Sequence, residues 1–172
     1  MKTIKNTNMK LPLTSLMMLV VVGLVIANTA DKAVAETSAK QVSMTAKILP
    51  ATDKLPARLS ITAAIDEGWH IYSVTQAKGG PRPTKFKLEE SEDFKLSGDF
   101  TADPAPVVHV YEDIWPDLNV EEHTGNVTWT APLELGSGVD AASLTIEVNA
   151  KGQVCNEEVC NNFKATLSAA TD

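Results

Sequence analysis

The sequence has little of what most enzymes and nucleic-acid binders need. Its 172 residues hold two cysteines, three histidines and only 5% aromatic residues. No Ser-His-Asp pattern, Gly-rich phosphate loop or pair of spaced carboxylates stands out, so hydrolytic and phosphoryl-transfer chemistry has no visible machinery. Positive charge is also scarce. Fifteen Lys and Arg against 22 Asp and Glu give a net charge of −7, and such a surface repels phosphate backbones, which excludes nucleic acid as the expected partner. After the N-terminus no apolar run is long enough to cross a membrane. No stretch sustains a helical period.

What is present begins with a targeting pattern. Lys2, Lys5 and Lys10 precede a twelve-residue apolar run, Leu16 to Ala27. That length suits a signal-peptide core better than a membrane span. Ala33-Val34-Ala35 reads as the cleavage site, with Ala30 a weaker alternative. No cysteine lies nearby to take a lipid anchor. Residues 1–35 are therefore expected to be a cleaved signal peptide, against the alternative of an uncleaved anchor, and 36–172 a single domain not inserted in the membrane. Removing 1–35 takes away four lysines and one aspartate. Eleven basic and 21 acidic residues remain, a net charge of −10.

The mature segment alternates apolar and polar residues. Val42, Met44, Ala46 and Ile48 share a face, as do Leu59, Ile61, Ala63 and Ile65. Val127 to Leu133, Leu144 to Ala150 and Phe163 to Leu167 repeat the pattern. A period of two marks half-buried strands. Shorter candidates are Trp69–Val74, Thr84–Leu88, Phe94–Leu96 and Val107–Tyr111. Turn residues such as Gly79-Gly80-Pro81, Gly125-Asn126 and Gly136-Ser137-Gly138 separate them. Eight or nine short strands at this spacing predict an all-β antiparallel sandwich, with a barrel as the alternative.

The cysteines, Cys155 and Cys160, follow one strand candidate and precede another, so they flank a hairpin-like connection. Outside the cytoplasm such a pair oxidises and persists, and two cysteines allow one pairing. Their Cα atoms are expected within the roughly 4.4–6.8 Å a disulfide spans. Two readings stay open: a structural staple, stabilising by about 2 kcal/mol for so small a ring, or a redox pair in which the second thiol resolves a mixed disulfide. Glu157 and Glu158 between them disfavour thiolates. This suits a disulfide that waits for a partner's thiolate rather than an aggressive nucleophile. The bland alternative is two solvated turn glutamates.

Gly68-Trp69-His70-Ile71-Tyr72-Ser73, Gly80-Pro81-Arg82-Pro83-Thr84 leading to Phe86, and Gln153-Val154-Cys155 with Cys160 together resemble the N-terminal periplasmic domain of the thiol:disulfide interchange protein DsbD, over roughly residues 40–168. The resemblance implies an immunoglobulin-like β-sandwich. It implies a periplasmic thiol–disulfide exchange domain whose active site is Cys155 and Cys160, needing no cofactor. Electrons would pass from a membrane thiol reductase to thioredoxin-like periplasmic oxidoreductases, or to cytochrome c maturation. Cys155 is taken as the sulfur that bonds to partners. The family's cap loop would correspond to 109–115, with Tyr111, Ile114 and Trp115 shielding the bond. Family members continue into a membrane domain and a second thiol domain, so donor and acceptor are expected here as separate proteins. Asn161 and Asn162 stand where prolines are often found, and Gly152 where an aromatic is often found. The alternative function is an exported binding module with a purely structural disulfide.

His70, His109 and His123, with Met44, form the one donor set that suits a metal, copper in particular. No two are close in sequence, and a packed histidine is the commoner case, so no metal site is expected. Asn126-Val127-Thr128 is a glycosylation sequon that matters only in a eukaryotic secretory pathway.

Overall fold

A computed structural model describes residues 37–172. The expected signal peptide, 1–35, lies outside the described residues. Among the described residues eleven strands run β1 Val42–Leu49, β2 Arg58–Ile65, β3 His70–Tyr72, β4 Lys85–Lys87, β5 Phe94–Leu96, β6 Thr101–Asp103, β7 Val107–Tyr111, β8 Trp115–His123, β9 Asn126–Leu135, β10 Ile146–Cys155 and β11 Cys160–Ala169. A 3₁₀ turn, Ala141–Ser143, precedes β10. Among the described residues no helix is long and apolar enough to cross a membrane.

The strands form two antiparallel sheets, as an all-β sandwich requires. One has the order β1-β2-β9-β5, with β6 also pairing β9. The other has the order β11-β10-β3-β8-β7, with β4 also pairing β10. The alternating residues face inward as their period predicts. Leu59, Ile61 and Ala63 of β2, Trp129 and Ala131 of β9, Val148 of β10 and Phe163 of β11 are all fully buried. Phe86 packs edge-on against both Phe100 and Trp129, with ring centroids 5.0 and 5.2 Å apart.

Two strands were not expected from the sequence, which accounts for eleven in place of eight or nine. β6 is three residues long and adds to an edge of β9. β8 carries Pro116, Asp117, Glu121 and Glu122, and its buried residues include a glutamate and a histidine. Leu144 lies before β10 rather than in it. At the other end β10 runs on to Cys155, and β11 starts at Cys160. The hairpin connection is therefore only 156–159.

Gly152 is paired with Phe163. A Cβ there would lie 2.8 Å from the Phe163 ring and 3.2 Å from Thr84 Cα. With that ring fully buried, position 152 has no room for an aromatic side chain.

Candidate functional site

The site is built on the outer face of the second sheet, at its hairpin end. Asn156 N–H donates to Val159 O at 3.0 Å, and Asn156 Oδ1 accepts from the N–H groups of Glu158 and Val159 at 2.9 and 2.8 Å. Residues 156 and 159 are thus a hydrogen-bonded pair. The next pair outward, 155 and 160, is of the closer, non-hydrogen-bonded kind. Its Cα atoms are 4.1 Å apart, slightly closer than the expected range, and the sulfurs are bonded at 2.04 Å. The turn places Glu157 and Glu158 in solvent.

The two halves of the disulfide differ sharply. Cys155 is 1% exposed, whereas Cys160 is exposed. Cys155 packs with Tyr72 and Val120 in a small apolar cluster, separate from the sandwich core, that Tyr111, Trp115 and Leu118 cover. The β7–β8 hairpin folds this cover over the sheet. Tyr111 and Trp115 meet edge to face at 6.1 Å. Ile114, at the turn, is 64% exposed. The expected cap residues thus occupy different positions: Tyr111 and Trp115 lie on the Cys155 cluster, and Ile114 stands at the rim. Between the hairpins runs a groove of about 970 Å³, lined by both cysteines, Trp69, His70, Tyr111 and Trp115 among others. The exposed cysteine is thus Cys160, whereas Cys155, which the resemblance assigned to partners, is the buried one.

A polar cluster lies along the same face. Register sets His70 beside Cys155, and Glu122 beside Tyr72. Glu122 is buried and accepts a hydrogen bond from Tyr111 Oη at 2.9 Å. His70 Nε2 and His109 Nε2 each lie 3.7 Å from one of its oxygens, and Tyr72 Oη is 3.2 Å from His70 Nε2. Burial, with Glu122 adding to it, pushes Tyr72 up to about 12 and raises Tyr111, so both phenols keep their protons. Burial also lowers His70, against the pull of Glu122 and with the help of His109. Near neutrality His70 is therefore uncharged, and its approach to Glu122 is not an ion pair. His70, Tyr72, Leu118 and Glu122 were not expected at the site. The alternation of His70 and Tyr72 places them on one face, but nothing in sequence marks Glu122 or Leu118.

The histidine and methionine set is not brought together as a whole; only His70 and His109 approach one residue, Glu122. Met44 is in the core, and His123 packs edge-on against Trp129 at 5.4 Å. Among the described residues no group of three or more His, Cys, Asp or Glu is placed to hold a metal ion. His123 is 3% exposed, and neither ring nitrogen has a hydrogen-bond partner. Burial lowers it below its ordinary 6.5, opposed by Glu121. The unfolded chain therefore takes up a proton near pH 6.5 that the folded chain refuses. Stability is full above that pH and declines as the pH falls below it, with His70 adding in the same sense. His123→Phe is expected to stabilise the fold by about 1 kcal/mol, by removing an unsatisfied polar group, and to flatten the decline. Melting temperatures measured between pH 8 and 5 check both effects.

No family model and no curated protein matches the chain. Among solved structures it is similar to the N-terminal periplasmic domain of ScsB from Proteus mirabilis, at 18% identity and a TM-score of 0.45. That match covers 74% of this chain and 44% of the other. It is also similar to the GAE domain of yeast GGA1, at 9% identity and a TM-score of 0.39, over 80% of this chain and 97% of the other. The chain spans less than half of the ScsB structure it matches, and neither likeness extends to function.

Proposed function

We propose that this chain is a periplasmic thiol–disulfide exchange domain that relays electrons through a reversible Cys155–Cys160 bond. One observation carries the reading: the disulfide closes a hairpin with one cysteine buried under aromatic residues and the other open to a groove. A staple needs no such asymmetry. Exchange does, because attack requires one accessible sulfur and a leaving group held ready to return.

The chemistry uses sulfur alone. A donor thiolate attacks Cys160 Sγ, the disulfide breaks, and Cys155 leaves with the electron pair and takes up a proton. The donor's second thiolate attacks the mixed disulfide and departs oxidised. Two electrons and two protons then reside on the domain as two thiols. The reverse sequence reduces a downstream disulfide. By the residues that resemble DsbD, the donor is a membrane thiol reductase and the acceptor a thioredoxin-like periplasmic protein or a component of cytochrome c maturation. The working unit is then 36–172, released by cleavage of 1–35. Tyr111 and Trp115 act as the shield, with Ile114 at the partner's entry.

The test is the reduction potential of the bond, measured by equilibration against graded thiol buffers. A value above about −300 mV, with rapid exchange to a thioredoxin-like protein, is the expected result. A value well below it, or exchange only after unfolding, assigns the bond to structure and the chain to a binding module.

A further inference from the structure

The outer face of β4, β10 and β11 gathers much of the positive charge of an acidic chain. Lys85 pairs with Lys151, and Lys151 with Lys164, so three exposed ammonium groups form one row across three adjacent strands. Lys87 lies two residues along β4 on the same face, and Arg82 stands beyond the row toward the disulfide. These are five of the eleven basic residues in 36–172. Like charges directly opposite one another destabilise a sheet. Yet among the described residues Lys85, Lys151, Lys164 and Arg82 have no carboxylate partner, and only Lys87 has one, Glu89 at 3.6 Å.

The arrangement is also shaped. Arg82 is tied at two points: its backbone N–H donates to Gln153 Oε1 at 2.8 Å and its Nη1 to Asn162 Oδ1 at 3.0 Å. Its guanidinium is thereby fixed beside the lysine row. Arg82, Lys85, Lys151 and Lys164 line a cleft of about 410 Å³, and a second hollow of about 540 Å³ extends past Lys151 and Lys164 to Lys87. With strands roughly 4.8 Å apart, the row spans about 10 Å. One small anion cannot reach all of it, whereas a chain of linked phosphates can. A fixed guanidinium fork with flexible ammonium groups is the usual pairing for phosphate oxygens.

We propose that this cleft binds a ligand carrying two or more phosphate groups, either a free polyphosphate or the phosphorylated headgroups of a lipid surface. The site is distinct from the disulfide, and its test does not depend on redox activity. The chain is titrated calorimetrically with inorganic tripolyphosphate at low salt, beside the double variant Lys151→Gln/Lys164→Gln. Saturable binding is expected, weakened at least tenfold in the variant and by added salt. The ligand-free variant is expected to melt higher than the parent, because opposed charges have been removed; this also shows that it folds. Sedimentation with phosphatidylglycerol vesicles, against phosphatidylcholine vesicles, separates the sources. Lysine-dependent, salt-reversible capture by the anionic vesicles assigns lipid headgroups. Tripolyphosphate binding without such capture assigns a free ligand. Absence of tripolyphosphate binding, equal binding by the variant, or equally tight binding of an oligoglutamate of the same charge overturns the proposal.

Discussion

Cys160→Ser is expected to abolish thiol–disulfide exchange, whereas Cys155→Ser is expected to be captured as a stable mixed disulfide through Cys160. Both variants lose the same ring closure, which stabilises by about 2 kcal/mol, so any difference between them reports on the sulfurs. With Cys155 replaced, the remaining thiol sits on an exposed residue beside the groove, and no second thiol is left to release the partner. With Cys160 replaced, the remaining thiol lies in the buried cluster under Tyr111, Trp115 and Leu118. Burial disfavours its thiolate, and the thiolate is the reactive form. Its reaction with an activated disulfide is expected to be slower by on the order of 100-fold. Mass spectrometry after incubation with a thioredoxin-like protein lacking its own resolving cysteine reads the outcome. Capture through Cys155 instead would mean that the β7–β8 hairpin opens fully before exchange.

How much of this was legible in the sequence depends on which faces are buried. β1, β2, β9 and β11 announce themselves because one face meets the core and the other meets water, so apolar and polar residues alternate. β8 follows a different rule. Val120 and Glu122 are buried on its outer face by its own hairpin, and His123 on its inner face by Trp129. A strand buried on both faces, in part through polar residues, shows no period of two. The end of β10 hides for a related reason. Its inward position 152 is a glycine, because the Phe163 ring fills the space a side chain would take. The lysine row is invisible in one dimension, since its members sit at 85, 151 and 164 and meet only through strand pairing. The cysteine pairing was legible, with one possible bond. The unequal exposure of its two ends was not, because it comes from Trp115 and Leu118, which reach the bond from another strand.

That cover leads to the second large effect. Trp115→Ala is expected to accelerate attack on the disulfide by small thiols such as glutathione on the order of tenfold, while the melting temperature changes little. Trp115 is half-buried and packs on the Cys155 cluster rather than on the sandwich core, so its loss opens the groove without opening the fold. Tyr111 keeps its hydrogen bond to Glu122 in this variant and continues to cover one side of the cluster. Leu118→Ala is expected to act in the same direction but more weakly, because a smaller area of cover is removed. Exchange with a protein partner responds differently. On the exchange reading a partner supplies its own surface to the groove, so losing the indole removes a barrier and a contact together. The rate with a thioredoxin-like protein is therefore expected to change much less than the rate with glutathione. The ratio of the two rates, compared between the parent chain and Trp115→Ala, measures the shield directly. An unchanged ratio would mean that Trp115 merely packs on the edge of the sheet, and that selectivity resides in the partner rather than in this chain.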